Sequence, residues 1–290
     1  MNSFNIIFLL VIQLLLFPDC SKNGSHGNLP DFDKPYKIVE LPHALKEISG
    51  ICYYDKDCLL GIQDESSEVY IINYQTNEID TLCDHKLKGD FEDISYADGN
   101  VYALKSNGHI DQFLSDSIIL EKPVKFKTAL SEINDCEGLA YERSTNSLLI
   151  ACKEKPYVKE LGKNGNSRSV YRFDLDHKQL IYKPYLSVDL QILKNKCYIE
   201  KFKPSGIAVH PVTGNYYIIS SVGKSIIVMD KNGLVTDFAR LNNVRFMQPE
   251  GICFDQSGEF LFISDEGKHG KANLLVYKIK GVPQNDTPLH

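Results

Sequence analysis

Several features that mark common protein classes are missing from this chain. The seven cysteines that follow Cys20 are odd in number and contain no CxxC pair, which argues against a structural zinc site and a disulfide framework. The net charge of -6 comes from acidic and basic residues mixed along the chain, so the basic stripe that binds phosphate backbones is absent. We therefore expect no nucleic acid as a partner.

Catalytic signatures and long amphipathic helices are missing as well. The sequence has no GxSxG, HExxH, P-loop or GxGxxG motif, so nucleophilic hydrolysis, zinc proteolysis and nucleotide binding by those routes have no support. Beyond the N-terminal region, the apolar runs span four to seven residues and are bounded by turn residues. This pattern predicts an all-β protein.

The N-terminal segment is set apart from the rest by its composition. Residues Phe4 to Phe17 are apolar except for Asn5 and Gln13, a length that fits a signal-peptide core and falls short of the ~20 residues of a spanning helix. Cys20 follows, so residues 1–20 resemble a bacterial lipoprotein signal with Cys20 as the lipidated residue. The polar residues 21–33 are interpreted as a flexible tether.

Two features of this segment depart from the lipoprotein pattern. Asp19 stands where a small residue is usual, and no Lys or Arg precedes the apolar run. Ordinary signal cleavage, an uncleaved anchor and a cytoplasmic fate are therefore alternatives. For the later cysteines, burial as small apolar side chains is the leading interpretation, although one pair, such as Cys52 and Cys58, could oxidise in an exported protein.

A five-fold internal repeat is the main signal in the sequence. Its copies are EISGICYY from residue 47, DFEDISYA from 90, DCEGLAYE from 135, KPSGIAVH from 203 and QPEGICFD from 248. The residues in register at the fourth position are Gly50, Asp93, Gly138, Gly206 and Gly251. Each copy continues as a strand, a turn containing Gly, Asn or Asp, and further strands.

Four strands in about 45 residues, repeated in series, are typical of a β-propeller. We predict one propeller domain over residues 34–283, with five blades of four antiparallel strands favoured, six as the alternative, and a C-terminal tail over 284–290. The strand near residue 38 is expected to complete the last blade. The third copy is longer by about 23 residues, and its Gly, Asn and Lys content predicts a surface loop.

The start of each inner strand and the end of the next strand should meet at one face of such a ring. Glu92, Glu137 and Glu250 occupy equivalent positions and should converge near the axis, where a cation, a lysine or raised pKa values must relieve their repulsion. An all-oxygen cluster suits Ca²⁺ or Mg²⁺. The alternative is that these side chains bond backbone amides or pair with Lys105 and Lys153.

Further candidates for ligand binding lie at the same predicted channel mouth. His269 could supply a base or a charge that faces phosphate, although a solvated turn is the simpler interpretation. The complete set of these candidates is Glu47, Asp64, Lys105, Lys153, Glu154, Asp265, Glu266 and His269.

The repeats LKEISGICY, DFEDISY, DCEGLAYE, KPSGIAVHPVTGNYYIIS and QPEGICFDQSGEFLFISDEG resemble the SdiA-regulated, or YjiK-like, family of bacterial envelope propellers. The resemblance covers roughly residues 38 to 280. It implies an exported or membrane-anchored propeller, sometimes associated with calcium, with no common enzymatic activity. Ser49 and Ser205 depart from the pattern by replacing Glu, and Asp93 departs from it by replacing Gly.

The leading functional hypothesis is a monomeric, non-catalytic propeller anchored in the bacterial envelope, facing the periplasm or the surface. It would bind Ca²⁺ or a small ligand at the acidic mouth and contact an envelope protein. The alternative is a metal-dependent phosphoesterase or lactonase in which Glu92, Glu137 and Glu250 hold the cation.

Overall fold

Five four-stranded antiparallel sheets make up the fold in the computed structural model, which describes residues 29–83, 89–114, 122–156, 166–267 and 270–279. Each sheet is one blade, and each blade is built from strands that follow one another in the chain, except that the first strand of the chain joins the last blade. Neighbouring strands can pair after short turns, and this explains the local order.

The first two blades each take up one repeat. Blade 1 consists of β2 (Ile48–Asp55), β3 (Cys58–Gln63), β4 (Ser66–Asn73) and β5 (Ile79–Cys83). Blade 2 consists of β6 (Phe91–Ala97), β7 (Asn100–Lys105), β8 (Ile110–Leu114) and β9 (Val124–Phe126).

The other three blades follow the same plan. Blade 3 consists of β10 (Cys136–Glu142), β11 (Ser147–Cys152), β12 (Ser167–Asp174) and β13 (Gln179–Asp189). Blade 4 consists of β14 (Gly206–Val209), β15 (Tyr216–Ser220), β16 (Ser225–Met229) and β17 (Val235–Arg240). Blade 5 consists of β18 (Pro249–Phe254), β19 (Phe260–Asp265), β20 (Asn273–Lys278) and, at its outer edge, β1 (Lys37–Glu40).

The blades close into a ring through their inner strands. Strand β2 contacts β6, β6 contacts β10, β10 contacts β14, β14 contacts β18, and β18 contacts β2. Each of the five seams between blades has its own cluster of buried apolar side chains. The core is therefore a set of five seams around an axis, and the predicted propeller of five blades is confirmed, whereas the alternative of six blades is wrong.

Strand β1 completes the ring at the outer edge of blade 5. Val39 pairs with Leu274 in strand β20 and is buried in the seam between blades 5 and 1, whereas its neighbour Ile38 is exposed. This arrangement confirms that the strand near residue 38 completes the last sheet. It joins the start of the chain to its last repeat.

The hairpin turns contain the residues that the sequence pattern singled out. Asp98 and Gly99 connect β6 to β7 with φ values of 47° and 75°. A two-residue turn with two positive φ values has the twist that antiparallel strands need, and Asp-Gly tolerates it. The left-handed conformation of Asn146, with φ 42°, ends a 3-10 turn (Arg143–Thr145) before β11 in the same way. A second 3-10 turn (His43–Leu45) leads into β2.

The enlarged third copy is not wholly a surface loop, and that part of the prediction is wrong. Residues 157–165 lie outside the described residues, but the following segment forms the eleven-residue strand β13 and the helix α1 (Leu190–Cys197). Asp189 caps the helix by accepting hydrogen bonds from the amides of Gln191 and Ile192. Leu193 and Cys197 pack into the seam between blades 3 and 4. Within the described ranges, no helix has the length and apolar character needed to cross a bilayer.

Candidate functional site at the channel mouth

We define the mouth as the end of the ring where the inner strands begin and the second strands end. The backbone joins these points within each blade, because the amide of Asp64 donates to the carbonyl of Glu47 at 3.3 Å and that of Lys153 donates to Asp135 at 2.7 Å. Blade 5 repeats the pattern, with the amide of Glu266 donating to Gln248 at 2.9 Å. The candidate residues at the starts of the inner strands and those at the ends of the second strands therefore lie on one face of the ring.

A β-bulge at the start of the inner strand recurs around the ring. The strand register shifts between Phe91 and Asp93, between Cys136 and Gly138, and between Pro249 and Ile252. These shifts surround Glu92, Glu137 and Glu250. A bulge inserts one extra residue and re-aims its side chain, and the charge of Glu137 acts on both Glu92 and Glu250, so the three carboxylates lie near one another.

Lys153 lies among these three glutamates, and we call the four side chains the axial cluster. Its ammonium donates a hydrogen bond to Glu137 Oε1 and lies 3.9 Å from Asp135 Oδ2. Its positive charge also acts on Glu92 and Glu250. The structure thus brings the three predicted glutamates together, and one of the two lysines predicted to pair with them lies in their midst.

Burial and mutual repulsion raise the pKa values of all three glutamates. Burial raises the pKa of Glu92 to about 9, with further contributions from Glu137 and Asp90. Burial raises the pKa of Glu137 to about 7, although the charge of Lys153 opposes the shift. Burial and the charge of Glu137 raise the pKa of Glu250 well above its ordinary value. The cluster therefore holds fewer than three negative charges at neutral pH.

The pKa of Lys153 is set by the same burial and the same neighbouring charges. Burial lowers its pKa, but the charges of Glu137, Asp135 and Glu250 outweigh burial, and the net shift is upward. Lys153 therefore stays an ammonium ion and acts as an internal counter-ion of the axial cluster.

An acidic pocket lies beside the axial cluster, between blades 1 and 2. It has a volume of about 510 Å³, opens to solvent, and is lined by Asp64, Glu65, Gly89 and Asp90. Burial and the charges of Glu47, Glu65 and Asp90 raise the pKa of Asp64, although a hydrogen bond from the backbone of Glu65 opposes the shift. Asp64 Oδ1 is buried without a hydrogen-bond partner among the described residues. We call this feature the Asp64 pocket.

Two other predicted candidates, Asp265 and Glu154, already have partners at the mouth. Asp265 is buried and accepts hydrogen bonds from the amides of Met247 and Gln248, both at 2.9 Å, so it shapes the turn before β18. Glu154 forms an ion pair with Lys203.

Lys105 has its contacts within blade 2. Its ammonium lies 3.1 Å from Asp111 Oδ2 and 4.8 Å from the centre of the Phe91 ring. Of the remaining candidates, Glu47 is exposed at the mouth and Glu266 is half-buried there, whereas His269 and Cys20 lie outside the described residues. In the described ranges, no three His, Cys, Asp or Glu side chains are grouped closely enough to hold a metal ion as they stand.

The two serines that replace glutamate join adjacent blades. Ser49 Oγ donates to the carbonyl of Phe91 at 2.8 Å, and Ser205 Oγ donates to that of Pro249 at 2.7 Å. Both acceptors belong to the inner strand of the next blade. Serine at this position therefore strengthens a seam, whereas glutamate at the same position supplies charge to the mouth.

Asp93 connects three blades, a role that sequence reasoning missed. Its carboxylate accepts hydrogen bonds from the amides of Leu139 at 2.6 Å and Ile94 at 2.8 Å, and it also accepts one from Ile51. A Cβ atom on Gly50 would lie only 2.3 Å from Asp93 Oδ1, so glycine there makes room for the carboxylate. The available signal was a charged residue at a register position that is otherwise glycine.

The sequence of this chain matches a known protein family. A sequence model of the SdiA-regulated family matches residues 27–268, which is most of the chain. The chain belongs to the SdiA-regulated family. No curated protein matches it.

Solved propellers of several kinds resemble this member of the SdiA-regulated family. The PQQ-bound aldose sugar dehydrogenase of Streptomyces coelicolor is 11% identical over 85% of this chain and 98% of its own, with a TM-score of 0.53. A Bacteroides thetaiotaomicron protein of unknown function is 13% identical over 88% and 73%, with a TM-score of 0.47. Virginiamycin B lyase of Staphylococcus aureus is 14% identical over 84% and 74%, with a TM-score of 0.44. These likenesses concern the fold alone.

Proposed function

We propose that this SdiA-regulated propeller is an envelope-anchored binding protein that takes Ca²⁺ or a small cationic ligand at its acidic mouth. The observation that carries the proposal is the Asp64 pocket, which the carboxylates of Asp64, Glu65 and Asp90 line and in which Asp64 Oδ1 lacks a partner among the described residues. A buried acceptor without a partner is costly, and a bound cation would satisfy it.

The donor set of the Asp64 pocket has the chemistry of a site for a hard cation. Its charged ligands would be the carboxylates of Asp64, Glu65 and Asp90, with Glu47 nearby, and Ca²⁺ accepts such oxygens together with water molecules. The axial cluster suits a metal less well, because the ammonium of Lys153 already lies among Glu92, Glu137 and Glu250. We therefore place the proposed cation in the pocket and treat the axial cluster as its charged surroundings.

Calcium titration of thermal stability tests the binding proposal. A ligand that binds only the folded state at about ten times its Kd stabilises that state by about 1.4 kcal/mol, which raises the Tm by about 3 to 5 °C. We expect this rise in the purified protein and its loss in Asp64→Asn. The matched control is Asp80→Asn, an exposed carboxylate on β5 of the same blade, which should keep the full rise. An unchanged Tm in calcium, or an equal response in both variants, would exclude the pocket as the site.

The proposed anchoring depends on the apolar segment from Phe4 to Phe17 and on Cys20, which follows it. Lipidation predicts that cells fed a labelled fatty acid incorporate the label into this protein and that Cys20→Ala abolishes both the labelling and recovery with membranes. Labelling that persists in Cys20→Ala would contradict the role of this cysteine.

The alternative is a metal-dependent hydrolase. Burial raises the pKa of Glu137 to about 7, which suits a general acid or base at neutral pH. In that case the protein would hydrolyse generic phosphoesters or lactones, a chelator would abolish turnover, and Glu137→Gln would lower kcat by about 100-fold or more. A calcium-dependent rise in Tm without turnover supports the binding function instead.

A further inference from the structure

Two buried thiols face each other at the base of the mouth in blade 3. Cys136 begins strand β10, Cys152 ends β11, and the two residues are direct partners in the antiparallel register. Their Sγ atoms are 3.9 Å apart, and both side chains have 0% exposure. This is an independent feature that neither the axial cluster nor the Asp64 pocket uses.

The backbone around this pair has the geometry that a cross-strand disulfide needs. The amide of Cys136 donates to the carbonyl of Ser106 in blade 2, so the two cysteines do not exchange both of their backbone hydrogen bonds. In such a non-hydrogen-bonded antiparallel pair, the Cα atoms are about 4.5 Å apart and the side chains approach closely. Disulfides accept Cα distances of about 4.4 to 6.8 Å. Each sulfur needs to move by about 1 Å to reach bonding distance.

We propose that Cys136 and Cys152 are a disulfide-forming site that locks the first two strands of blade 3 together beneath the mouth. Cys136 directly precedes Glu137, and Cys152 directly precedes Lys153. The bond therefore lies at the base of the ion pair formed by Glu137 and Lys153. Oxidation fixes the two strand ends that carry this pair.

The chemistry requires an oxidant of the disulfide class, such as oxidised glutathione or a thiol–disulfide oxidoreductase. One cysteine thiolate attacks the oxidant's disulfide, forms a mixed disulfide and releases one thiolate. The second cysteine thiolate attacks the mixed disulfide and releases the other thiolate. Two S–H bonds are lost and one S–S bond forms in the protein, while two electrons and the two protons pass to the oxidant as two thiols.

Burial determines when this exchange occurs. The hydrogen bond between the two sulfurs and their burial raise the pKa of Cys136, and the lack of exposure shields both thiols from an oxidant. Since thiolates are the attacking species, exchange with the folded protein is slow and exchange during folding is fast.

The other described cysteines lie apart from this pair. Cys52 packs in the seam between blades 1 and 2, Cys253 in the seam between blades 5 and 1, and Cys197 on helix α1. Cys52 and Cys58, which the sequence suggested as a pair, are not register partners, because Cys52 faces Leu60 and Cys58 faces Asp55.

Peptide mapping after refolding tests the proposal without any variant. The purified protein is unfolded with reductant, refolded in a mixture of reduced and oxidised glutathione, alkylated, and digested under non-reducing conditions. We expect the main cross-linked species to join the peptides that contain Cys136 and Cys152. Alkylation of both residues in the refolded protein, or a main cross-link between Cys52 and Cys253, would overturn the proposal.

A stability measurement gives a second, independent outcome. Closing a loop of about 15 residues raises the Tm of a domain of this size by about 5 to 10 °C, measured as the difference between oxidised and reduced protein. We expect Cys152→Ala to abolish this difference and Cys197→Ser, which also alters a buried cysteine, to preserve it. A difference that survives in Cys152→Ala would show that another bond is responsible.

Discussion

Glu92 shows how burial and like charge act together on one side chain. Its pKa of about 9 lies far above that of an unfolded glutamate, so the folded protein binds a proton more tightly than the unfolded chain. A carboxyl group with a raised pKa contributes stability at low pH and loses it as the pH rises through the folded value.

We therefore expect the free energy of unfolding to fall between about pH 5 and about pH 9, by at most about 1.4 kcal/mol per pH unit for this one group. Glu92→Gln removes the titrating carboxyl group, so the free energy of unfolding of this variant should fall less steeply across the same range. Urea unfolding at several pH values measures both slopes. Equal slopes in the wild type and the variant would show that Glu92 is ionised at neutral pH.

Asp93 stabilises the fold by accepting hydrogen bonds from three blades at once. Asp93→Gly restores the residue of the other repeats but leaves the amides of Leu139 and Ile94 without their acceptor. We expect a loss of about 2 to 4 kcal/mol of stability, measured by denaturant unfolding.

Asp98→Gly is the control for this substitution. Asp98 is exposed and has a positive φ of 47°, where glycine is tolerated, so its replacement, which also removes a hydrogen bond with Tyr141, should cost less than about 1 kcal/mol. A similar cost for the two variants would mean that the bonds of Asp93 contribute little.

At the scale of elements, helix α1 is the addition that distinguishes the third repeat. One face of the helix packs into the seam between blades 3 and 4 through Leu193, which is fully buried, while Ile192 on the other face is 43% exposed. Leu193→Ala should cost about 2 to 4 kcal/mol because it leaves a cavity. Ile192→Ala should change stability by less than about 0.5 kcal/mol. Thermal unfolding of the pair measures the difference, and equal Tm values would mean that the helix is not part of the cooperative fold.

At the scale of the whole molecule, a strand of four residues closes a ring of five blades. Val39 in β1 is 1% exposed, whereas Ile38 next to it is 47% exposed. Val39→Asp would bury an unpaired charge in the seam between blades 5 and 1, and we expect it to cost about 3 kcal/mol or more.

Ile38→Asp places the same charge in solvent and should leave the Tm nearly unchanged. Because the seams link all five blades, the lower Tm of Val39→Asp should come with a single unfolding transition. Two separate transitions would show that blade 5 opens independently of the rest.

The repeated segments determined the propeller, the number of strands in each blade and the closing strand by themselves. Alternating apolar residues and turn residues such as Asp98 and Gly99 act within a few positions of the chain, so the sequence alone contains this information. The equivalent positions of Glu92, Glu137 and Glu250 also followed from the repeat, because equal register in equal blades implies one shared face.

Only the tertiary structure decided which charges meet and what they do there. The placement of Lys153 among the glutamates, the hydrogen bonds of Asp93 to the blades on either side, and the contact of Cys136 with Cys152 depend on how the inner strands bulge and approach. The same holds for helix α1, whose burial depends on the seam against which it packs. Local pattern specifies strands and turns, whereas long-range contacts across the ring set burial and, through burial, the pKa values of the mouth.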